Sequence, residues 1–333
     1  SDLGLREIEN LTEGWISGLR ILMLAAGKKG FPNQASLRAS FSSSSYVYEM
    51  LNEVLLQQED RFRHSLLRLS LLPEFDRDLY TLLCLEKGEQ SRGATLFSQF
   101  VDLLMNSNLF LIRLDEKGEW YRFHHLFQGI LQGMASTSYS AEALSSLRLR
   151  IAESYLTGQQ FEKAITFFLK GGAMKKALVN FTRLRKELLS NASWPDLEKV
   201  FKLFPGDSVP NYSILSLTEA WLYVYRGNIP KMLELLPRIE ILLQAERCDS
   251  SELASYRGEL NVLHAYCAYN LDLDMEATLV RSKKAIGQIG NSNPYAMGIA
   301  WVFYGGAMQA LGESEAAREE IYAYLERAEN LLV

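Results

Sequence analysis

Cysteine is scarce and unpatterned: Cys84, Cys248 and Cys267 are an odd number, and only the last two lie near each other. That excludes the paired-cysteine framework of small secreted domains and favours a reducing, cytoplasmic setting. No stretch approaches the ~18–20 uncharged apolar residues of a membrane span. Ser1-Asp2-Leu3-Gly4 has neither the basic start nor the apolar core of an export signal. A dominant charge is missing too: 35 Lys and Arg against 40 Asp and Glu give −5 without any like-charge block. Direct nucleic-acid binding by this chain is therefore not expected.

Several chemical signatures are also absent. Neither G-x-x-x-x-G-K-[ST] nor G-x-G-x-x-G after a strand occurs, so the chain has no phosphate cradle of its own. Gly27-Lys28-Lys29-Gly30 has the wrong spacing and follows a helical stretch, which makes it a helix end leaving as a loop. With four histidines and no G-x-S-x-G, no serine nucleophile can be assembled. His264 and Cys267 can share a helix face but lack a third and fourth metal ligand. Neither catalysis, nor a metal, nor a cofactor is expected in this chain. The serine run Ser42 to Ser45 stands just before a helical pattern and suits a loop and N-cap better than a phosphorylation site.

What is present is a globular composition, 48% hydrophobic and 23% charged, in a chain of 333 residues, long enough for about two domains. Eight prolines and 22 glycines leave room for long helices. Val47, Met50, Leu51, Val54 and Leu55 form an amphipathic stripe, and Phe97, Phe100, Val101, Leu104 and Met105 form another. Between them, Phe62 to Leu69 predicts a helix ending near Pro73, and Asp76 is the N-cap of a second one running to Leu85. The period then changes: Leu109-Phe110-Leu111-Ile112-Arg113-Leu114 and Trp120-Tyr121-Arg122-Phe123 flank the turn Asp115-Glu116-Lys117-Gly118, a β-hairpin. A closing helix follows from His124 to Met134, so helices plus one wing describe a winged-helix domain over 41–135. The small polar stretch Ala135 to Ser140 is read as a linker. At the hairpin-to-helix junction His124 and His125 meet free backbone N–H groups and favourable anion electrostatics. They either touch a phosphate, or one caps or packs while the other is solvated.

From 141 to 333 the pattern is paired amphipathic helices with short breaks. Turns at Gly158, Gly227, Asp272 and Gly312 align, the last three 45 and 40 residues apart, and Gly171-Gly172-Ala173 marks a shorter unit. This predicts a tetratricopeptide-like α-solenoid superhelix with units longer than the usual ~34 residues. In one unit Leu260, Leu263, Cys267 and Leu271 pack while Tyr266, Tyr269 and Asn270 are displayed. The usual register places Trp221, Tyr225, Glu259, Tyr266, Tyr269, Asn270 and Gln309 on the concave side. Aromatic faces beside amides and a carboxylate suit a sugar or another small polar metabolite. The same face can take a partner peptide or an inhibitory protein, and periodicity does not separate the two.

Thr12-Glu13-Gly14-Trp15-Ile16-Ser17-Gly18-Leu19-Arg20, Tyr46 to Leu55, Phe62 to Ser70, Asn108 to Asp115 and Trp120 to Phe127 together resemble the MalT-like regulators. These are large ATP-dependent activators of the LuxR family within the STAND class of NTPases, and the similarity spans about the first 135 residues. It implies an ATPase module ending within 1–40, the winged helix, and a sensor domain from 141 onward, in a bacterial protein whose DNA-binding unit lies elsewhere. It further implies ATP or ADP in the longer protein, a small-molecule inducer or regulatory protein on the repeats, and self-association on activation. In that family a His at the hairpin-to-helix junction senses nucleotide. Phe123-His124-His125-Leu126 is similar to that motif, with His125 where the family has Asp, so the role passes to His124 alone.

Overall fold

In the computed structural model, which describes residues 59–86, 88–106, 111–245, 251–290, 293–312, 318, 319, 322 and 323, the helix expected over Phe62 to Leu69 becomes α1 (Asp60–Leu69). The expectations for residues 1–55, and Cys248, lie outside the described residues. Asp76 caps α2 (Arg77–Cys84) by accepting from the Leu79 N–H at 2.9 Å. Then come α3 (Gly93–Asn106), β1 (Leu111–Arg113), β2 (Tyr121–Phe123) and α4 (His125–Ser138). The strands pair antiparallel, Leu111 opposite Phe123. A third contact was hidden from the sequence: Phe75 and Tyr121 exchange both backbone hydrogen bonds, at 2.8 and 2.9 Å. Phe75 packs on Phe123 with ring centroids 5.0 Å apart, and Phe123 meets Phe127 edge-on. These three rings are fully buried, so the wing is pinned to the core from below.

The stretch read as a linker is largely helical, because Met134 and Ala135 are buried and α4 continues to Ser138. Ser136 and Thr137 fold their hydroxyls back onto the Gln132 and Met134 carbonyls, which lets small polar residues stay in the helix. Ser140 then caps α5 (Ala141–Thr157), and α6 (Phe161–Lys170) completes a hairpin. The chain separates into two compact units, residues 1–173 and 174–333. The α5–α6 hairpin belongs to the first, tied there by Lys163 to Glu74 at 2.7 Å and by Arg150 donating to the Leu82 carbonyl.

The second unit comprises α7 (Met174–Ser190), α8 (Trp194–Phe201), α9 (Ser213–Tyr225), α10 (Ile229–Ala245), α11 (Ser251–Cys267), α12 (Met275–Ile289) and α13 (Pro294–Ala310). Among the described residues the protein is therefore mainly α, with a two-stranded hairpin followed by a helical solenoid. None of these helices is long and apolar enough to cross a membrane. Burial pushes the Cys84 thiol up to about 12 and that of Cys267 up to about 11, so both are inert packing residues.

The helical hairpins close in a repeated way. The residues at Gln159, Gly172, Ala192 and Gly227 are left-handed, and the N–H of the next residue reaches back across the helix end. Those bonds run from Gln160 to the Tyr155 carbonyl, Ala173 to Phe168, Ser193 to Leu188 and Asn228 to Tyr223, all at 2.8 to 2.9 Å. Leu273 and Gly312 are left-handed too, and after Leu273 the Asp274 N–H reaches the Ala268 carbonyl at 2.9 Å. Aligning turns by glycine was thus one residue out at two places: the left-handed residues are Gln159 rather than Gly158, and Leu273 rather than Asp272. At the latter α11 runs into a π-turn over Ala268–Asp272, whose extra residue rotates Leu271 outward to 47% exposure. Leu271 is therefore not part of the packed row that Leu260, Leu263 and Cys267 form. Glycine matters for space at Gly258, where a Cβ would stand 2.5 Å from Ile289 Cγ1 and 3.0 Å from its backbone N. Only a bare backbone lets α11 approach the end of α12 this closely.

Leu273 holds φ +54° while 73% exposed, so its side chain contributes little packing to offset the left-handed penalty. Leu273→Gly is expected to raise stability to urea by about 1 kcal/mol, measured as a shift in midpoint at constant slope.

Candidate functional site

Along α7 the buried residues Ala177, Phe181, Arg185 and Leu189 recur every fourth position, so an arginine occupies one place in an apolar row. Its partner is Glu259 of α11, 1% exposed. The two are joined in a bidentate pair, Nη1 to Oε1 at 3.0 Å and Nη2 to Oε2 at 2.6 Å. Arg185 Nε donates to Thr218 Oγ1 at 2.8 Å, and Thr218 passes its own proton to the Ile214 carbonyl. Trp221 Nε1 donates to Glu259 Oε2 at 2.8 Å. Three helices, α7, α9 and α11, are thereby fixed by directional bonds around a charge pair removed from water.

Burial pushes the Glu259 carboxyl up, but the Arg185 guanidinium and its hydrogen bonds outweigh this and hold it below the usual carboxylate range. Arg185 responds in the opposite sense: burial lowers its proton affinity and Glu259 more than restores it. Both groups stay charged. Asn293, buried at the N-cap of α13, accepts from the Ala296 N–H at 3.1 Å. Its Nδ2 has no hydrogen-bond partner among the described residues, although it stands close enough to favour the charged carboxylate.

Aromatic rings cover this network. Trp194 and Tyr225 stack at 5.1 Å with an 11° interplanar angle. Tyr295 stands edge-on to Trp194 at 5.1 Å and to Trp221 at 5.7 Å. Tyr225 is the outer ring, 51% exposed.

The seven residues expected on one concave face therefore divide. Trp221 and Glu259 are enclosed rather than displayed, because each is the other's hydrogen-bond partner and Arg185 needs the carboxylate. Tyr225 joins them through Trp194 and Tyr295. Tyr266 and Tyr269 gather elsewhere, against Phe303 at 6.0 and 5.5 Å. The Tyr269 ring lies 3.1 Å from where a Cβ of Gly306 would be, so it is a packing residue between helices. Asn270 is exposed and bonds back to the Tyr266 carbonyl, and Gln309 is exposed on the last turn of α13. Arg185, Thr218, Trp194, Tyr295 and Asn293 were not singled out from the sequence. For Arg185 the legible sign was a charge in an apolar row; for Trp194 and Tyr295, the first and second residues of their helices, no periodicity was available.

In the first unit His124 is the N-cap of α4, buried, its Nδ1 accepting from the Leu126 N–H at 3.4 Å. With Nδ1 an acceptor, the neutral ring carries its proton on Nε2. His125 stacks on it at 4.6 Å. Among the described residues no group of three or more His, Cys, Asp or Glu is arranged to hold a metal ion.

Residues 51–143 match the family described as the MalT winged helix domain. The chain is 25% identical over 310 residues to the HTH-type transcriptional regulator MalT of Klebsiella pneumoniae (strain 342), covering 90% of this chain and 32% of that protein. MalT of Cronobacter sakazakii gives the same figures. MalT of Yersinia enterocolitica is 25% identical over 307 residues, 92% of this chain and 33% of its own length. The chain thus spans about a third of the length of the curated relatives it matches.

Removing one partner of the buried pair leaves the other charge uncompensated. Glu259→Ala is expected to cost roughly 3–5 kcal/mol of unfolding free energy, and Glu259→Gln nearly as much. Because the folded carboxyl titrates below its ordinary value of 4.5, the pair's stabilisation is complete above that pH and disappears as pH falls through the lower folded value. The unfolding midpoint of the wild type should therefore drop below pH 4.5 by more than that of Glu259→Gln, as measured by circular dichroism.

Proposed function

We propose that this chain, a MalT-like segment with a MalT winged helix domain at residues 51–143, is the regulatory and effector-sensing part of a bacterial transcription activator. An inducer binds the helical repeats and releases a closed, ADP-holding state of the longer protein, which then takes up ATP, self-associates and activates transcription. The nucleotide chemistry belongs to residues outside this chain. The observation that carries the reading is the Arg185–Glu259–Trp221 network under the Trp194, Tyr225 and Tyr295 rings. An inducer acts only through its difference in affinity for two states. A directional network that links three helices has discrete arrangements, so a ligand on the rings above it has something to select between. Stacked rings and the exposed face of Tyr225 suit a small, hydroxyl-rich molecule such as a sugar.

His124 is the nucleotide-sensing residue in this reading. As the N-cap between the wing and α4 it sits at a helix N-terminus, where the helix dipole favours an anion.

A thermal-shift screen of this chain against sugars, other small metabolites and nucleotides tests the inducer, since a ligand of the folded state alone raises the midpoint. One sugar class is expected to raise it and to quench tryptophan fluorescence, with both effects lost in Tyr225→Ala. Silence from every compound would replace the small molecule by a partner peptide on the same helices. In the full-length protein, His124→Ala should weaken ADP retention and raise basal transcription; unchanged values of both refute its role.

A further inference from the structure

A second site stands apart from the ring cluster, in a cavity of about 460 Å³ bounded by α10, α11 and α12. Its lining is unusual for a chain of net charge −5: Arg257, Arg281, Lys283 and Lys284 face a single carboxylate, Glu240. Among the described residues none of the four cations has an ion-pair partner. Spacing explains the convergence. Arg257, Leu260 and Asn261 follow i, i+3, i+4 on α11, and Arg281, Lys284 and Gln288 follow i, i+3, i+7 on α12.

The guanidinium groups are held rather than loose. Arg281 Nη1 donates to Asn261 Oδ1 at 3.1 Å, and Asn261 Nδ2 donates to Gln288 Oε1 at 2.9 Å and to the Arg257 carbonyl at 3.1 Å. Arg257 Nη2 donates to the Leu243 carbonyl at 3.2 Å. The Arg281 and Arg257 bonds each use one N–H of a fork that has five donors, which fixes the plane and leaves further donors for a ligand. One turn beyond Asn261, His264 ends in an Nε2 that is buried and unpartnered among the described residues. It is near enough to Arg281 and Glu240 to feel both charges. An anion in the cavity would bring acceptors to the remaining guanidinium N–H groups of Arg257 and Arg281.

We propose that this cavity binds a phosphate monoester of a small polar metabolite, the phosphate held by Arg257, Arg281 and Lys284 and the hydroxyl-bearing part by the Gln244 and Gln288 amides. Four cations around one carboxylate fit a dianion better than a single carboxylate ligand. The volume is that of a small-molecule site and leaves room for more than the phosphate. The assignment rests on α10 to α12 alone and holds whether or not the ring cluster takes a sugar.

The probes are glucose 6-phosphate, glucose and inorganic phosphate, titrated calorimetrically into the whole chain at low ionic strength. Glucose 6-phosphate is expected to bind, glucose to give no heat, and added salt to weaken binding. Arg281→Gln and Arg257→Gln should each raise Kd at least about tenfold. Lys284→Ala, an exposed change that leaves the Asn261 network intact, should raise it several-fold with an unaltered circular dichroism spectrum. No binding of glucose 6-phosphate, or an affinity unchanged in Lys284→Ala and Arg281→Gln, overturns the proposal. Inorganic phosphate binding as tightly as the ester overturns the assignment to a metabolite.

Discussion

The second unit depends on one charge pair. Arg185 and Glu259 come from helices 74 positions apart, and neither could be buried without the other, since an uncompensated ion in an apolar interior costs several kcal/mol. Thr218 and Trp221 complete the coordination from α9, so α7, α9 and α11 are obliged to meet in one register. A purely apolar core of similar volume would be at least as stable but would tolerate sliding. The tryptophan that forms part of the aromatic cover is also a donor to the carboxylate, so the ring cluster and the ion pair cannot move independently.

The first unit was largely readable because its signals are local. The Asp76 cap, the stripes of α1 and α3, the hairpin around Gly118 and the closing helix each follow from residues within a few positions of one another. What escaped was long-range or conditional. The Phe75–Tyr121 bridge joins residues 46 apart in sequence with no strand pattern around Phe75. The continuation of α4 through Ser136 and Thr137 depends on hydroxyls turning back onto the helix, which composition does not reveal.

In the repeats the period was legible and the register was not. Left-handed closure falls on glutamine at 159, alanine at 192 and leucine at 273 as well as on glycine, so glycine is an unreliable ruler for these turns. Of the residues chosen from the usual register, Trp221, Tyr225 and Glu259 do come together, because one face of each helix meets the next. Tyr269 and Asn270 fall in the π-turn, where the extra residue breaks the phase on which their placement relied. Arg185 escaped since a sequence shows a charge in an apolar row without showing its partner.

The two backbone hydrogen bonds between Phe75 and Tyr121 make the wing a lever rather than a flap. Tyr121 is only three residues from His124, and Phe123 wedges between Phe75 and Phe127. The loop joining α1 to α2, the second strand and the start of α4 therefore form one stiff piece, and a displacement at His124 must be carried to the far end of α1. There the Gln128 and Gln132 amides already grip the Ser70 and Leu72 carbonyls, so a displacement of α4 would load the C-terminal end of α1 through side chains as well as through the strand.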